Sequence, residues 1–310
     1  MIICGHQIEH GEKKRIAIAV PDANPIEAFL FCGAKEGRTL AITAGVHGCE
    51  YVGIETAHRL SESLDPALMR GNVILLPLIN AGGFLAGAKQ VVPEDGANLN
   101  RVFPGEINGT LSRRMSYLIE HTVFPYADFL IDLHGGDCNE SLFPLVFHPG
   151  AGSPAVNACA LEAARSLSVR YLVRSTSKNG LYSWAVQRGV PALLIERGSG
   201  GSWSEEEVAR CTEDVMRIMS HLDIIDGDYP PVEQVEISLT TYLEAEFGGF
   251  WYPEVTAGQH VRKGDLLGTL RAYPNRQLLR LYAQSDGVVL YYTTALGVRT
   301  GDPLVAYGIQ

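Results

Sequence analysis

Three short segments carry residue types able to bind a metal ion and move a proton. In Ala41-Ile-Thr-Ala-Gly-Val-His47-Gly-Cys-Glu50 an apolar run crosses a glycine-containing turn and delivers an imidazole and a carboxylate three residues apart. Such a pair can share one ion when the histidine sits in the turn and the glutamate opens the following helix. Alone, H-x-x-E is a common chance match. A second apolar run, Phe129-Leu-Ile-Asp-Leu-His134-Gly-Gly, ends in histidine. By itself His134 would read as a satisfied core histidine. Joined to His47 and Glu50, it completes two imidazoles and one carboxylate, the donor set of a catalytic zinc with one open position rather than of a structural zinc. A third run, Ala192-Leu-Leu-Ile-Glu196-Arg197-Gly-Ser-Gly-Gly, ends in a carboxylate that needs a partner or a task. Glu196 then fits as the non-ligating base that takes a proton from water made acidic by the ion.

A polar stretch, Asp95-Gly-Ala-Asn98-Leu-Asn100-Arg101-Val-Phe-Pro-Gly, follows the apolar run Val73 to Ile79. An arginine fork and a neighbouring amide suit an acidic substrate group, or an oxyanion formed when an amide carbonyl is attacked, so Asn100 and Arg101 are candidate substrate contacts. Two other readings of the glycine-rich loop fail. Gly198-Ser-Gly-Gly-Ser does not fit G-x-S-x-G, and no Walker-type lysine follows it.

These residues require elements that bring distant segments together. Apolar runs at Thr39 to Ala44, Val73 to Ile79, Phe129 to Leu133, Leu145 to Phe147, Tyr171 to Val173 and Ala192 to Ile195 read as strands. They alternate with helical stretches at Tyr51 to Ser63, Leu111 to Phe124, Pro154 to Ser166 and Ser204 to His221, the last with Ser204 as N-cap and three glutamates in its first turn. Continuous apolar strands between helices predict an α/β fold, a mostly parallel sheet sandwiched by helices. In such a sheet ligands bind beyond the carboxyl ends of the strands, where His47, His134 and Glu196 all fall. The prolines of Asp226-Gly-Asp-Tyr-Pro-Pro mark a linker, giving a catalytic domain over 1–228 and a β-rich domain over 229–310. In the second part Val261-Arg-Lys-Gly-Asp265 recurs as Val298-Arg-Thr-Gly-Asp302, which predicts a small quasi-symmetric β-barrel or sandwich. It resembles a biotinyl/lipoyl-type barrel, but no lysine stands in the context that cofactor attachment needs. A structural appendage that shields a sheet edge or shapes the site's mouth is the expectation.

The chain has 310 residues, 46% of them hydrophobic, and a formal net charge of −10. That charge, with no basic cluster, excludes nucleic acid as a partner, and no apolar run is long enough to cross a bilayer. A small-molecule substrate is expected, and a homo-oligomer is compatible with the composition. Six dispersed cysteines without a C-x-x-C pair predict free thiols rather than a disulfide framework or a thiolate zinc site. The N-terminus lacks the pattern of a secretory signal, which points to the cytoplasm.

In order, H-G-x-E, D-G-x-N-L-N-R-x-F-P-G, D-L-H-G-G and E before glycines resemble the succinylglutamate desuccinylase/aspartoacylase family, related to the zinc carboxypeptidases. The match runs from about Gly45 to Gly201. The resemblance implies a carboxypeptidase-like α/β/α domain, one Zn2+ per chain on His47, Glu50 and His134, and Glu196 as the base that activates water and then protonates the leaving amine. It implies deacylation of an N-acyl amino acid or related small acid, with Asn100 and Arg101 gripping a substrate carboxylate. Carboxypeptidase-like cleavage of a short peptide and non-catalytic binding of zinc and a small acid are the alternatives. Two positions depart from the pattern. Cys49 replaces the asparagine common in H-G-N-E and reads as buried packing. Ala88-Lys89-Gln90 occupies the stretch where the family often has a carbonyl-polarising arginine, so Lys89 is either the source of that charge or an ordinary surface lysine. Arg197, next to the base, is a candidate for selecting an acidic substrate, and Arg174 is a weaker one; for both, an unrelated surface ion pair is the favoured reading.

Overall fold

The computed structural model describes residues 2–309. Nine strands form the central sheet, in the spatial order Val235–Ile237, Tyr171–Ser175, Leu145–Pro149, Ala192–Glu196, Phe129–His134, Lys35–Ala44, Arg70–Leu76, Ile26–Cys32 and Glu12–Ile18. The three strands at its centre, ending at Ala44, His134 and Glu196, run parallel. Antiparallel pairs occur where Leu145–Pro149 meets Ala192–Glu196 and along the edge built by Ile26–Cys32 and Glu12–Ile18. The sheet is therefore mostly parallel, as its continuous apolar strands require.

Side chains alternate along each strand, so the two faces bury two separate cores. One packs Leu130 and Leu194 against the helices Leu111–Thr122 and Leu181–Gln187, through Met115, Ile119, Leu181 and Ala185. The other packs Ile131, Leu133, Leu193 and Ile195 against Tyr51–Ser63, Pro154–Ala164 and Glu205–His221. The last helix starts as expected: Ser204 Oγ accepts from Glu207 N, with Glu205, Glu206 and Glu207 in the first turn. The strands and helices read from the sequence are all present, with ends shifted by a few residues. Strands Glu12–Ile18 and Ile26–Cys32 and helices Ala81–Ala86 and Leu181–Gln187 add to them.

The expected boundary at 228/229 falls ahead of the sheet's last strand, because Val235–Ile237 pairs in parallel with Tyr171–Val173. Beyond it two antiparallel sheets face each other over a shared core of Trp251, Leu267, Leu270, Val289, Leu304 and Tyr307. This is a sandwich; among the described residues no ladder joins the two sheets into a closed barrel. The repeated pentapeptide forms one turn twice. Asp265 accepts from the backbone N of Arg262 and Asp302 from that of Arg299, each at 2.8 Å. Gly264 and Gly301 take the left-handed conformation that the turn requires, at φ +93° and +83°. The short strand Glu140–Leu142, from the loop after His134, pairs with Gly287–Thr293 of this sandwich. The second part is thus stitched to the edge of the sheet that carries the polar residues.

Candidate active site

Glu196 lies directly opposite His134 in the register of the two parallel strands, and Thr43 lies opposite Asp132 one pair further in. Sheet geometry therefore brings the expected base and one expected ligand side by side. The other two expected ligands come from the turn after Ala44. Glu50 stands at the start of helix Tyr51–Ser63, and His47 sits in the turn before it. The turn is clamped by close packing: a Cβ on Gly48 would come within 2.1 Å of Gly83 in helix Ala81–Ala86. Asn80 caps that helix, accepting from Gly83 N, and donates to Val91 O.

The imidazoles converge on one carboxylate. His47 Nδ1 lies 2.7 Å from Glu50 Oε1, and His134 Nδ1 lies 2.8 Å from Glu50 Oε2. All three side chains are buried, and one ligand atom from each lies within 4.8 Å of the others. The far nitrogens face acceptors. Asp132 Oδ2 is 3.0 Å from His134 Nε2, and Asn98 Oδ1 is 3.1 Å from His47 Nε2. Asp132 is itself held by Thr43 Oγ1 at 2.7 Å. If each Nε2–H donates outward, each Nδ1 presents a lone pair to the carboxylate, an arrangement that calls for a proton or a cation between them. The electrostatics agree. Burial would depress the His134 pKa, but Asp132 and Glu50 flank the ring and hold it well above the ordinary value. Burial would raise Glu50, yet His47 and His134 pull it down to about 2.

Glu196 has the opposite character. Burial, followed by the negative charge of Glu50, pushes its pKa well up, and its Oε2 has no hydrogen-bond partner among the described residues. A buried carboxylate oxygen left unpaired is costly unless something else occupies the space. It lines a cavity of about 670 Å3 together with His47, Glu50, His134, Asn100 and Arg101. The far wall comes from the β-sandwich: Tyr242, Leu243, Tyr291 and Val305 all line the same space. The expected appendage supplies part of the site itself.

The glycines after His134 and Glu196 have a shared cause. A Cβ on Gly135 would lie 2.1 Å from Arg197 O, and one on Gly136 would crowd Ser199 and Glu140. Hydrogen bonds from Gly136 N to Gly198 O and from Gly200 N to Glu140 O join the two loops. Asn100 belongs to the site and also supports it, its Oδ1 accepting from Leu181 N at the start of a helix. Arg101 lines the cavity and donates to Asn100 O.

Two expected contacts are not where the sequence put them. Arg197 faces away from the cavity, because it follows Glu196 by one residue and side chains on extended backbone alternate. Its Nε donates to Asp214 Oδ2 at 2.5 Å and its Nη2 to Ser168 Oγ at 2.8 Å, under the helix Glu205–His221. Its guanidinium is committed there and does not line the cavity. Arg174, the weaker candidate, does line the cavity. Lys89 does not; its neighbour Gln90 does, from a left-handed backbone at φ +57°. The field of Lys89 reaches Glu140 and Cys138 instead. Glu140 itself carried no signal in the sequence. It lines the cavity, and burial, with Glu50 and Asp137 nearby, lifts its pKa to about 8 against the opposing charge of Lys89.

Residues 36–222 match the model of the succinylglutamate desuccinylase/aspartoacylase catalytic domain. The chain belongs to this family. A relative, the N-alpha-acetyl-L-2,4-diaminobutyric acid deacetylase of Halomonas elongata, is 26% identical over 279 residues, spanning 87% of this chain and 81% of its own length. The fold matches the product-bound structure of the ectoine utilization protein EutE (DoeB) from Ruegeria pomeroyi with a TM-score of 0.85 at 24% identity, covering 96% of this chain and 94% of that one. It also matches a succinylglutamate desuccinylase/aspartoacylase from Rhodobacter sphaeroides with a TM-score of 0.86 at 23% identity, over 100% and 98% of the two chains. Family and relative together support amide hydrolysis as the chemistry of this cavity. No helix among the described residues is long and apolar enough to cross a membrane.

Proposed function

We propose that this protein is a zinc-dependent hydrolase of a linear amide that removes the acyl group from an N-acyl amino acid or a related small acid. The observation that carries the reading is the pairing in register of His134 with Glu196, whose side chain lines a cavity shared with three convergent candidate metal donors. His47, Glu50 and His134 would hold one zinc ion. The donor set fits: two neutral imidazoles and one carboxylate, each imidazole backed by an acceptor, suit a catalytic rather than a structural ion. When bound, zinc supplies Lewis acidity, making water a nucleophile near neutral pH and polarising a carbonyl oxygen.

The chain's own residues do the rest. The Glu196 carboxylate accepts the proton of the attacking water and returns it to the departing amine nitrogen, so one side chain serves as base and then as acid. Arg101 and Arg174 offer charge for a substrate carboxylate, and Asn100 adds an amide donor, its oxygen already being committed to Leu181. Gln90, at the cavity in place of an arginine, can orient a carbonyl by hydrogen bonding but adds no charge. Tyr242 and Tyr291 close the pocket on the sandwich side and help exclude water.

The test is a panel of N-acetyl, N-succinyl and longer N-acyl amino acids, beginning with N-acetyl-2,4-diaminobutyrate because of the relative's activity. Release of carboxylate and free amine that depends on added zinc is the expected result. If dipeptides are cleaved and N-acetyl amino acids are not, the protein is a peptidase instead. If zinc and small acids bind and nothing is turned over, the hydrolase reading is wrong.

A further inference from the structure

A second set of metal donors lies beside the first and is absent from the catalytic scheme. Cys49 Sγ, Cys138 Sγ and the Asp137 carboxylate lie within 4.8 Å of one another. No C-x-x-C motif announces them, because Cys49 comes from the turn before helix Tyr51–Ser63 and Asp137-Cys138 from the loop after His134. Cys49 does not merely pack. Its thiol donates to Asp137 Oδ1 at 2.6 Å, and the same oxygen accepts from Cys138 N at 2.7 Å. Asp137 is fully buried, and its other oxygen, Oδ2, has no hydrogen-bond partner among the described residues. Cys49 is buried, whereas Cys138 is exposed and gives the cluster an opening to solvent.

We propose that Cys49, Asp137 and Cys138 form a second metal site, selective for thiophilic divalent ions such as zinc or cadmium, that bridges the two loops bearing the ligands of the first. Two sulfurs and one oxygen are a soft donor set, distinct from the His-Glu-His set next to it. Binding replaces the two thiol protons, which leave to solvent, with bonds from both sulfurs to the ion. The ion also satisfies the charge of Asp137, whose Oδ2 the protein leaves bare. A disulfide between the same cysteines would do the reverse. It would remove the Cys49 donor and leave a buried carboxylate with one partner fewer.

The site is independent of the deacylase reading, and its test uses a signal that histidine and carboxylate ligands do not produce. Reduced, full-length, metal-free protein is titrated with cadmium while the thiolate-to-cadmium charge-transfer absorption in the ultraviolet is followed. The wild type should develop a band with the intensity of two thiolates, saturating with one ion at this site. Cys138→Ser, at an exposed position, should lose about half or more of the band and bind cadmium roughly tenfold or more weakly, as Cys49→Ser should. Cys159→Ser, remote from the cluster, should match the wild type. Absence of the band in the wild type, or a band unchanged in Cys138→Ser, would overturn the proposal. So would protein that resists metal and forms the Cys49–Cys138 disulfide on exposure to air.

Discussion

Glu196 and Arg197 are consecutive residues with opposite fates. On the cavity side of the sheet, Glu196 keeps an oxygen without a partner, His47 and His134 crowd one carboxylate, and Glu140 titrates far from its ordinary range. On the opposite side, beneath helix Glu205–His221, Arg197 is 3% exposed and finds both a carboxylate and a hydroxyl, while Asp214 is completed by Ser168 N and Oγ. Both sides bury charge. One leaves it under-satisfied where a ligand can complete it, and the other closes it within the protein. Burial of charge therefore does not mark the functional face; incomplete pairing does.

Substitutions on the two faces should separate cleanly. His134→Ala removes a metal donor, and its zinc content and amide hydrolysis should both fall to background, a loss of at least about a thousandfold in rate, read by metal analysis and product release. Zinc content equal to that of the wild type would remove His134 from the ligand set. On the other face, Arg197→Met leaves Asp214 buried and uncompensated, which should cost roughly 3–5 kcal/mol of unfolding free energy by denaturant titration. Activity per folded molecule should stay within about twofold of wild type; a selective rise in KM for acidic substrates would restore Arg197 to the cavity.

Glu140 sharpens the comparison by pH. Its folded pKa, about 8, lies above the ordinary 4.5, so the folded state holds this proton more tightly. The stability it contributes is fully present below about 4.5 and is lost as pH rises through 8. In metal-free protein, Glu140→Gln should flatten the decline of stability over this window by about a few kcal/mol, measured by denaturant midpoints at several pH values. Parallel profiles would show that Glu140 ionises normally. The smallest effect lies far from either face: Ser204→Ala removes the N-cap contact with Glu207 and should lower stability by about 1 kcal/mol without touching activity.

Much of this was legible in the sequence because parallel strands place their ends in common. Once the runs ending at Ala44, His134 and Ile195 were strands, His47, Glu50, His134 and Glu196 had to meet. Arg197 forms an ion pair, as the favoured reading had it, but a buried one: strand alternation turns it inward, and Asp214, among Val208, Cys211, Val215 and Ile218 on the buried side of its helix, is the matching signal. Gln90, Glu140, Tyr242 and Tyr291 left no linear trace. They reach the cavity through loops and through the pairing of Glu140–Leu142 with the sandwich, contacts between segments some 150 residues apart. Cys49 and Cys138 were unreadable for the same reason, since the motif that would unite them exists only in three dimensions.

In the proposed reaction Glu196 moves the proton while its neighbours hold the metal. Glu196→Gln keeps the shape of the side chain and removes its basicity, so zinc content and kcat should be measured on the same sample with an N-acetyl amino acid that the wild type hydrolyses. Zinc should equal that of the wild type and kcat should be lower by about 10²–10⁴-fold. A variant that retains both its zinc and wild-type turnover would contradict that role for Glu196.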